Sequence, residues 1–238
     1  LNVIRGDFYS ARAVSNVNRE KPIPAYRGVI TDRAGVVLAK NTETFSVFIN
    51  ISELLKDRLQ FNEVLAKLAE TLRIPEADLV AAVIGTDFED SSEVPVARNI
   101  SPETAIAVRG ASLPHVSVEN DFRREYPEGP AFSAVLGYTG LSDTGSRVVG
   151  KAGLEHYYDG LLRGVDGRYV YTRDVTGVAL DEYVDSVAQP GAKIETTIDA
   201  GLQAYMYQRL RQGLIHLGVT GGVGIALDPS NGEVLALV

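Results

Sequence analysis

Apolar residues fall into two periodicities along this chain, and the alternation between them divides it. Val29 and Ile30 precede a polar turn closed by Gly35, and Val36, Val37 and Leu38 follow it, a pattern that predicts a β-hairpin. Phe45, Val47 and Ile49 then alternate with Ser46, Phe48 and Asn50, as in a strand. Upstream, residues 7–19 are polar and aperiodic, and Lys21-Pro22-Ile23-Pro24 predicts an extended arm. Over residues 53–110 the period becomes helical. Asn62 is the expected cap of a helix with Val64, Leu65, Leu68, Ala69 and Leu72 along one stripe, Pro75 separates it from a second helix that Gly85 stops, and Ser101-Pro102 opens a third that runs to Arg109. Three short helices thus predict a small helical head inserted between strands.

Val116 and Val118 alternate towards Arg124 and predict a strand returning from the head. Residues 153–162 read as a helix, and 168–173 and 178–184 as strands. Gln189-Pro190-Gly191 marks a turn and the expected boundary between a first module, 1–190, and a second segment, 191–238. In that segment a strand is expected at 193–197, a long helix capped by Asp199 and running to Leu217, and a hairpin at 223–238 around Pro229-Ser230-Asn231-Gly232. Both hairpin strands are apolar on each face, the pattern of strands covered on two sides.

Composition narrows the function. The 238 residues are 45% hydrophobic, enough for a real core. Acidic residues number 31 against 23 basic, a net charge of −8 that gives no electrostatic reason to bind nucleic acid or an anionic membrane surface. No cysteine is present, so disulfides, thiolate metal sites and thiol catalysis are excluded. No window supplies the roughly 20 apolar residues of a membrane span, and residues 1–5 do not resemble a signal peptide, so Leu1 reads as an engineered or processing boundary.

Candidate chemistry is sparse. His115, His156 and His216 are scattered without metal-ligand spacing. The acidic run 87–93 lacks the central glycine and distal glutamate of a calcium loop. Tyr157, Tyr158, Tyr205 and Tyr207 sit beside leucines at helical spacing and read as packing residues, and Gly218–Gly224 follows a helix without the Gly-Lys-Ser/Thr of a phosphate loop. A serine acyl-transfer enzyme of the S-x-x-K kind also needs S-x-N and K-T-G. Ser133, Ser146 and Ser230 are followed three residues later by Leu136, Val149 and Glu233, and none of the three elements occurs. No cofactor or metal is expected. Arg27, Arg33, Arg124 and Glu155 stand out as single charges in apolar or glycine-rich runs. Buried charges must be paired, so Glu155 is expected to meet Arg27 or Arg33, with Arg124 joining them.

Three motifs carry a family resemblance. Arg27-Gly28-Val29-Ile30-Thr31-Asp32-Arg33-Ala34-Gly35 fits R-G-x-I-x-D-R-x-G. Arg124-Glu125-Tyr126-Pro127-Glu128-Gly129 fits R-x-Y-P-x-G and precedes Val135-Leu136-Gly137-Tyr138. Gly150, Gly153, Glu155, Tyr158, Asp159, Leu162, Gly164 and Gly167 fit G-x-x-G-x-E-x-x-Φ-D-x-x-L-x-G-x-x-G. Together they resemble the N-terminal module of class B penicillin-binding proteins, with Ala134 where that family usually has histidine. Thr197-Ile198-Asp199 with Leu202-Gln203, and the two strands of the last hairpin, resemble the first elements of the penicillin-binding domain.

The resemblance implies an α+β chain: an elongated β-rich pedestal with a helical head, followed by an incomplete transpeptidase domain of one helix and a hairpin. It implies that the motifs meet at the junction and that the module positions a peptidoglycan-cross-linking domain. It implies a parent protein held by a membrane anchor at the extracytoplasmic face and partnered by a membrane glycosyltransferase of peptidoglycan synthesis. The competing reading is an autonomous cell-wall interaction module with no linked enzyme.

Overall fold

The computed structural model describes residues 18–54, 58–84, 93–142, 147–173 and 179–238. The expected polar arm before residue 18 and most of the acidic run lie outside the described residues. The chain is an α+β protein. Its contacts divide it into two compact units, one of residues 41–124 and one of residues up to 40 together with 125–238.

In the unit of residues 41–124, the central strand is β3 (Val37–Asn50), which pairs antiparallel with β4 (Glu93–Ile100) and also with β5 (Val116–Glu125). Helices α1 (Ile51–Leu54), α2 (Arg58–Leu72), α3 (Glu76–Ile84) and α4 (Pro102–Gly110) accompany this sheet. Val47, Ile49, Leu65, Leu68, Leu79, Val94 and Val108 share one core, so the expected stripe on α2 is the buried one. Ser101 caps α4, its hydroxyl accepting from the Thr104 N–H at 3.3 Å.

Three sequence expectations change here. Asn62 lies in the second turn of α2 rather than at its cap, because the helix begins at Arg58. The hairpin strand and the strand at Phe45 are one fourteen-residue strand, β3. The head expected over 53–110 is not all helical, since β4 lies within it. Pro95 hid that strand, yet β4 is an outer strand in the sheet order, where a missing N–H is tolerated.

The other unit holds the remaining sheets. Strand β1 (Asn18–Ile23) pairs antiparallel with β8 (Gly167–Arg173), and β8 with β9 (Ala179–Ser186). The two-residue strand β2 (Ile30–Thr31) pairs antiparallel with the start of β3 and parallel with β10 (Ile194–Glu195). Strands β6 (Thr139–Leu141) and β7 (Val148–Gly150) form a ladder, as do β11 (Ile225–Leu227) and β12 (Val234–Leu237). The single helix expected over 153–162 is two, α6 (Gly153–Tyr157) and α7 (Asp159–Leu162), preceded by the short α5 (Ser133–Leu136) and broken where Tyr158 takes φ −102° and ψ 20°. The long helix α8 (Ala200–Leu217) starts where expected, Asp199 accepting from the Leu202 N–H at 2.9 Å. Ile30, Leu38, Phe132, Leu136, Leu162 and Ile198 make this unit's core. Ala236 is fully buried, whereas Val223, Ile225 and Leu227 on the neighbouring strand and its lead-in are exposed.

Candidate functional site

Two buried charge centres organise the larger unit, and each joins segments far apart in sequence. The first surrounds Arg27, on the extended run between β1 and β2. The break at Tyr158 lets Glu155 of α6 and Asp159 of α7 face the same guanidinium. Arg27 Nε donates to Glu155 Oε2 at 2.6 Å, Nη1 to Asp159 Oδ1 at 2.8 Å, and Nη2 to the Glu155 carbonyl oxygen at 2.8 Å. Glu155 is fully buried and Arg27 is 6% exposed. The Tyr126 hydroxyl reaches Glu155 Oε1 at 3.5 Å, so residues from all three sequence motifs converge here. Asp159 also accepts from the Gly150 N–H at 2.8 Å and pairs with Arg163. Burial alone pushes the Asp159 carboxyl up, but the Gly150 N–H and the Arg27 and Arg163 charges hold it below the usual carboxylate range.

Glycines let the backbone pack this closely. The Gly28 N–H donates to the Leu162 carbonyl at 2.7 Å, and the Gly191 N–H to the Tyr26 carbonyl at 2.9 Å. A Cβ on Gly28 would sit 1.9 Å from the Ala192 oxygen, and one on Gly191 1.8 Å from the Leu162 oxygen. Gly150 is as confined, with the Glu155 carbonyl 1.9 Å from its would-be Cβ. Gly129, Gly153 and Gly164 take positive φ at the turns of their motifs, and Gly167 abuts Ala188. Pro127 lies between β5 and the short 3-10 turn at Gly129–Phe132.

The second centre is Asp32, 2% exposed, in the turn between β2 and β3. Its Oδ1 accepts from the Ala34 and Val36 N–H groups at 2.8 and 2.7 Å, and its Oδ2 from the N–H of Ala200, the first residue of α8, at 3.1 Å. Gly35 closes the turn at φ 88°. Burial raises the carboxyl's pKa, and the four N–H groups of Ala200, Val36, Ala34 and Gly35 outweigh it, leaving the group ionised below its ordinary range. An anion at a helix N-terminus is further favoured by the helix dipole. The backbone follows the same route: Arg33 N–H donates to the Ile198 carbonyl at 3.0 Å and Thr196 N–H to the Thr31 carbonyl at 2.9 Å.

The contacts described for Arg33 and Arg124 are with other residues. The Arg33 side chain is 43% exposed and lies 3.9 Å from Glu233 of the last hairpin. Arg124 falls in the other unit, where its Nη1 donates to Asn41 Oδ1 at 3.4 Å.

The sequence reading named Gln203 within the Leu202-Gln203 pair of α8 and gave it no role in packing. It is fully buried, its Nε2 donating to the Ala131 carbonyl at 2.7 Å and to the Leu237 carbonyl at 2.6 Å, while its Oε1 accepts from the Leu237 N–H at 2.7 Å. The side-chain amide thereby fills the place of a neighbouring strand beside β12. Thr197 Oγ1 donates to the Val234 carbonyl and Asp199 N–H to the Leu235 carbonyl along the same edge. In the sequence the Leu202-Gln203 pair marked the position but not its burial. Among the described residues no group of histidine or carboxylate side chains could hold a metal.

Arrangements of this kind define a class of protein: an α+β scaffold in which charged motif residues fasten the chain's own backbone. The chain belongs to the penicillin-binding protein dimerisation domain family, whose model matches residues 22–196. It is 28% identical over its whole length to stage V sporulation protein D of Bacillus subtilis and 28% identical to PenA of Neisseria gonorrhoeae, a probable peptidoglycan D,D-transpeptidase. The chain spans 35% and 40% of those two proteins. A penicillin-binding protein from Helicobacter pylori (PBP2), solved in complex with MreC, shares the fold with a TM-score of 0.71 at 21% identity, over 93% of this chain and 42% of that one. These relatives agree with the class B resemblance of the motifs.

Proposed function

We propose that this chain is the non-catalytic N-terminal module of a class B penicillin-binding protein, and that it orients the peptidoglycan-cross-linking transpeptidase domain. The observation that carries the proposal is Asp32. One carboxylate, in the motif that opens the module, closes its own turn and also caps the helix with which the transpeptidase-like segment begins. A rotation of that helix relative to the β2–β3 turn breaks a buried, charge-assisted hydrogen bond, so the module fixes the helix in orientation as well as position. The parallel pairing of β2 with β10 adds a second constraint on the same junction.

In this reading the parent protein acts at the extracytoplasmic face of the bacterial membrane, held there by an anchor outside the described residues. Among those residues no helix is long and apolar enough to cross a membrane. Among its described residues the unit of 41–124 carries no constellation suited to chemistry, and it is the surface for protein partners, including the membrane glycosyltransferase. The H. pylori relative in complex with MreC shows that a protein of this fold takes a protein partner.

The test is acylation by a labelled β-lactam. Residues 1–238 alone should form no covalent adduct. In a longer protein that carries S-x-x-K, Asp32→Ala should slow acylation by about tenfold, as expected for reacting groups held slightly out of place, while the folded fraction stays at the parent level. An adduct mapped to a serine within 1–238, or acylation unchanged by Asp32→Ala, overturns the proposal.

A further inference from the structure

The three-stranded sheet β1–β8–β9 ends on two unlike edges. β1 contains Pro22, which has no N–H to give to a further strand. β9 runs for eight residues with no proline, glycine or lysine to blunt it. Among the described residues no strand pairs with its outer side. Tyr183 and Val184, which as neighbours in a strand point to opposite faces, are 49% and 53% exposed, so neither face of β9 is closed over. The ladder continues past the strand, since Val165 and Gln189 exchange N–H···O bonds at 2.9 and 2.8 Å, and the exposed Val187 lies on this extension.

Charge decides what such an edge accepts. β9 holds three acidic residues and no basic one, whereas its inner neighbour β8 holds two arginines and no acidic residue. Arg168 of β8 lies 3.5 Å from Asp185 of β9 and 3.5 Å from Glu20 of β1, and the Tyr169 hydroxyl donates to Glu182. Opposite charges on paired strands stabilise the pair, and like charges destabilise it. A second β9 brought in by a two-fold axis would set acid against acid. β1 of another copy would bring Pro22 and extend the sheet head to tail instead of closing it as a two-fold dimer does. The whole chain carries a net charge of −8, so long-range attraction also favours a cationic partner over another copy.

We propose that β9 is a docking strand for an extended basic segment of a partner protein, which joins the sheet as a fourth strand. Backbone hydrogen bonds along β9 supply the affinity, and arginine or lysine side chains beside its acidic residues supply the selectivity. The surface lies outside the 41–124 unit and uses none of the Arg27 or Asp32 contacts.

The probe is the β8 sequence itself, residues 167–173 as a labelled peptide capped at both ends, because it is a basic strand with which β9 already pairs. Its fluorescence anisotropy, titrated with the 238-residue chain at constant ionic strength, should saturate, and hydrogen exchange over 182–187 should slow several-fold in the complex. The same peptide carrying Arg168→Glu and Arg173→Glu should bind about tenfold more weakly or worse. These peptide variants leave the chain unaltered, so they test the charge requirement apart from folding. In the chain, Val184→Lys puts a cation on the exposed edge and should weaken binding by a comparable factor, while Leu141→Lys, on the exposed part of β6, should leave it unchanged.

A titration that does not saturate, equal binding of the basic and acidic peptides, or binding indifferent to Val184→Lys overturns the proposal. Amides over 182–187 as protected in the free chain as in the complex also overturn it, because the edge is then covered by the chain's own residues. So does concentration-dependent dimerisation in sedimentation that Val184→Lys abolishes, which assigns the edge to a second copy.

Discussion

Replacing Arg27 by methionine keeps most of its length and apolar stem and removes the charge that faces Glu155 and Asp159. At 2.6 Å, with an effective dielectric of about 20, the Arg27–Glu155 attraction is about 6 kcal/mol before desolvation is subtracted. Breaking a buried pair by removing one partner costs about 3–5 kcal/mol, because the other charge stays buried and uncompensated. The two partners are unequal. Without Arg27, Glu155 loses the guanidinium that it faces at 2.6 Å, whereas Asp159 retains the Arg163 charge and the Gly150 N–H. Without the Glu155 charge, Arg27 still has Asp159 and the residue 155 carbonyl.

Arg27→Met should therefore cost about 4–5 kcal/mol and Glu155→Gln about 2–3 kcal/mol, with a coupling energy of about 2 kcal/mol or more in the double variant. Hydrogen exchange read by mass spectrometry at 159–163, referenced to peptides of the 41–124 unit, measures each value locally. The exposed Arg33–Glu233 pair is the control, expected at about 0–1 kcal/mol. Additivity of Arg27→Met and Glu155→Gln within about 0.5 kcal/mol, or strong coupling between Arg33 and Glu155, refutes the assignment of partners.

Asp32 should give an acid limb. Because its folded pKa is depressed, its contribution is complete above the ordinary carboxylate value of roughly 4 and is lost as pH falls through the lower folded value. Asp32→Asn should flatten this limb, and urea midpoints measured from pH 7 down to pH 2 would show an unchanged limb if the hydrogen bonds to Ala34, Val36 and Ala200 were unimportant. Gln203→Glu replaces two donated bonds with a buried carboxylate and should cost about 2–4 kcal/mol. The Leu237 amide should then exchange faster while β8 is unaffected, and protection equal to the parent would count against the strand-like role of the side chain. Gly191→Ala should destabilise by more than about 3 kcal/mol or prevent folding, since the added carbon meets a carbonyl oxygen. Gly213→Ala, with open space around it in α8, should stabilise by about 0.5–1 kcal/mol. Equal thermal shifts for the two glycine variants would contradict the packing described.

Features coded locally were readable. The Gly35 turn, the Asp199 cap and the break at Pro75 each need only a few adjacent residues, and they appear where the sequence places them. Residues whose role depends on distant partners were not. β1 carries Pro22 and charged neighbours and gains its strand character from pairing with β8, a partner that no local pattern announces. Arg27 and Arg33 are equivalent as sequence, each an isolated cation in a glycine-bearing run. Only the turn at Asp32, which carries Arg33 to the surface, and the approach of α6 to the preceding run distinguish them. The buried role of Gln203 was hidden because a polar residue on an amphipathic helix is ordinarily solvated.

The Arg27 and Asp32 fastenings also impose an order of events during synthesis. Glu155 lies 128 residues after Arg27, and Ala200 lies 168 after Asp32. At about 5–20 residues per second, Arg27 emerges roughly 6–26 s before its carboxylate partner. In that interval the continuous stretch 41–124 can complete its own core, while the segment ahead of it waits in solvent. A cation is well suited to wait, since water solvates it and it does not promote premature association of Val29 and Ile30. The same charge that must be neutralised in the finished molecule thus acts, on the ribosome, as a solubility guard for an unfinished hairpin.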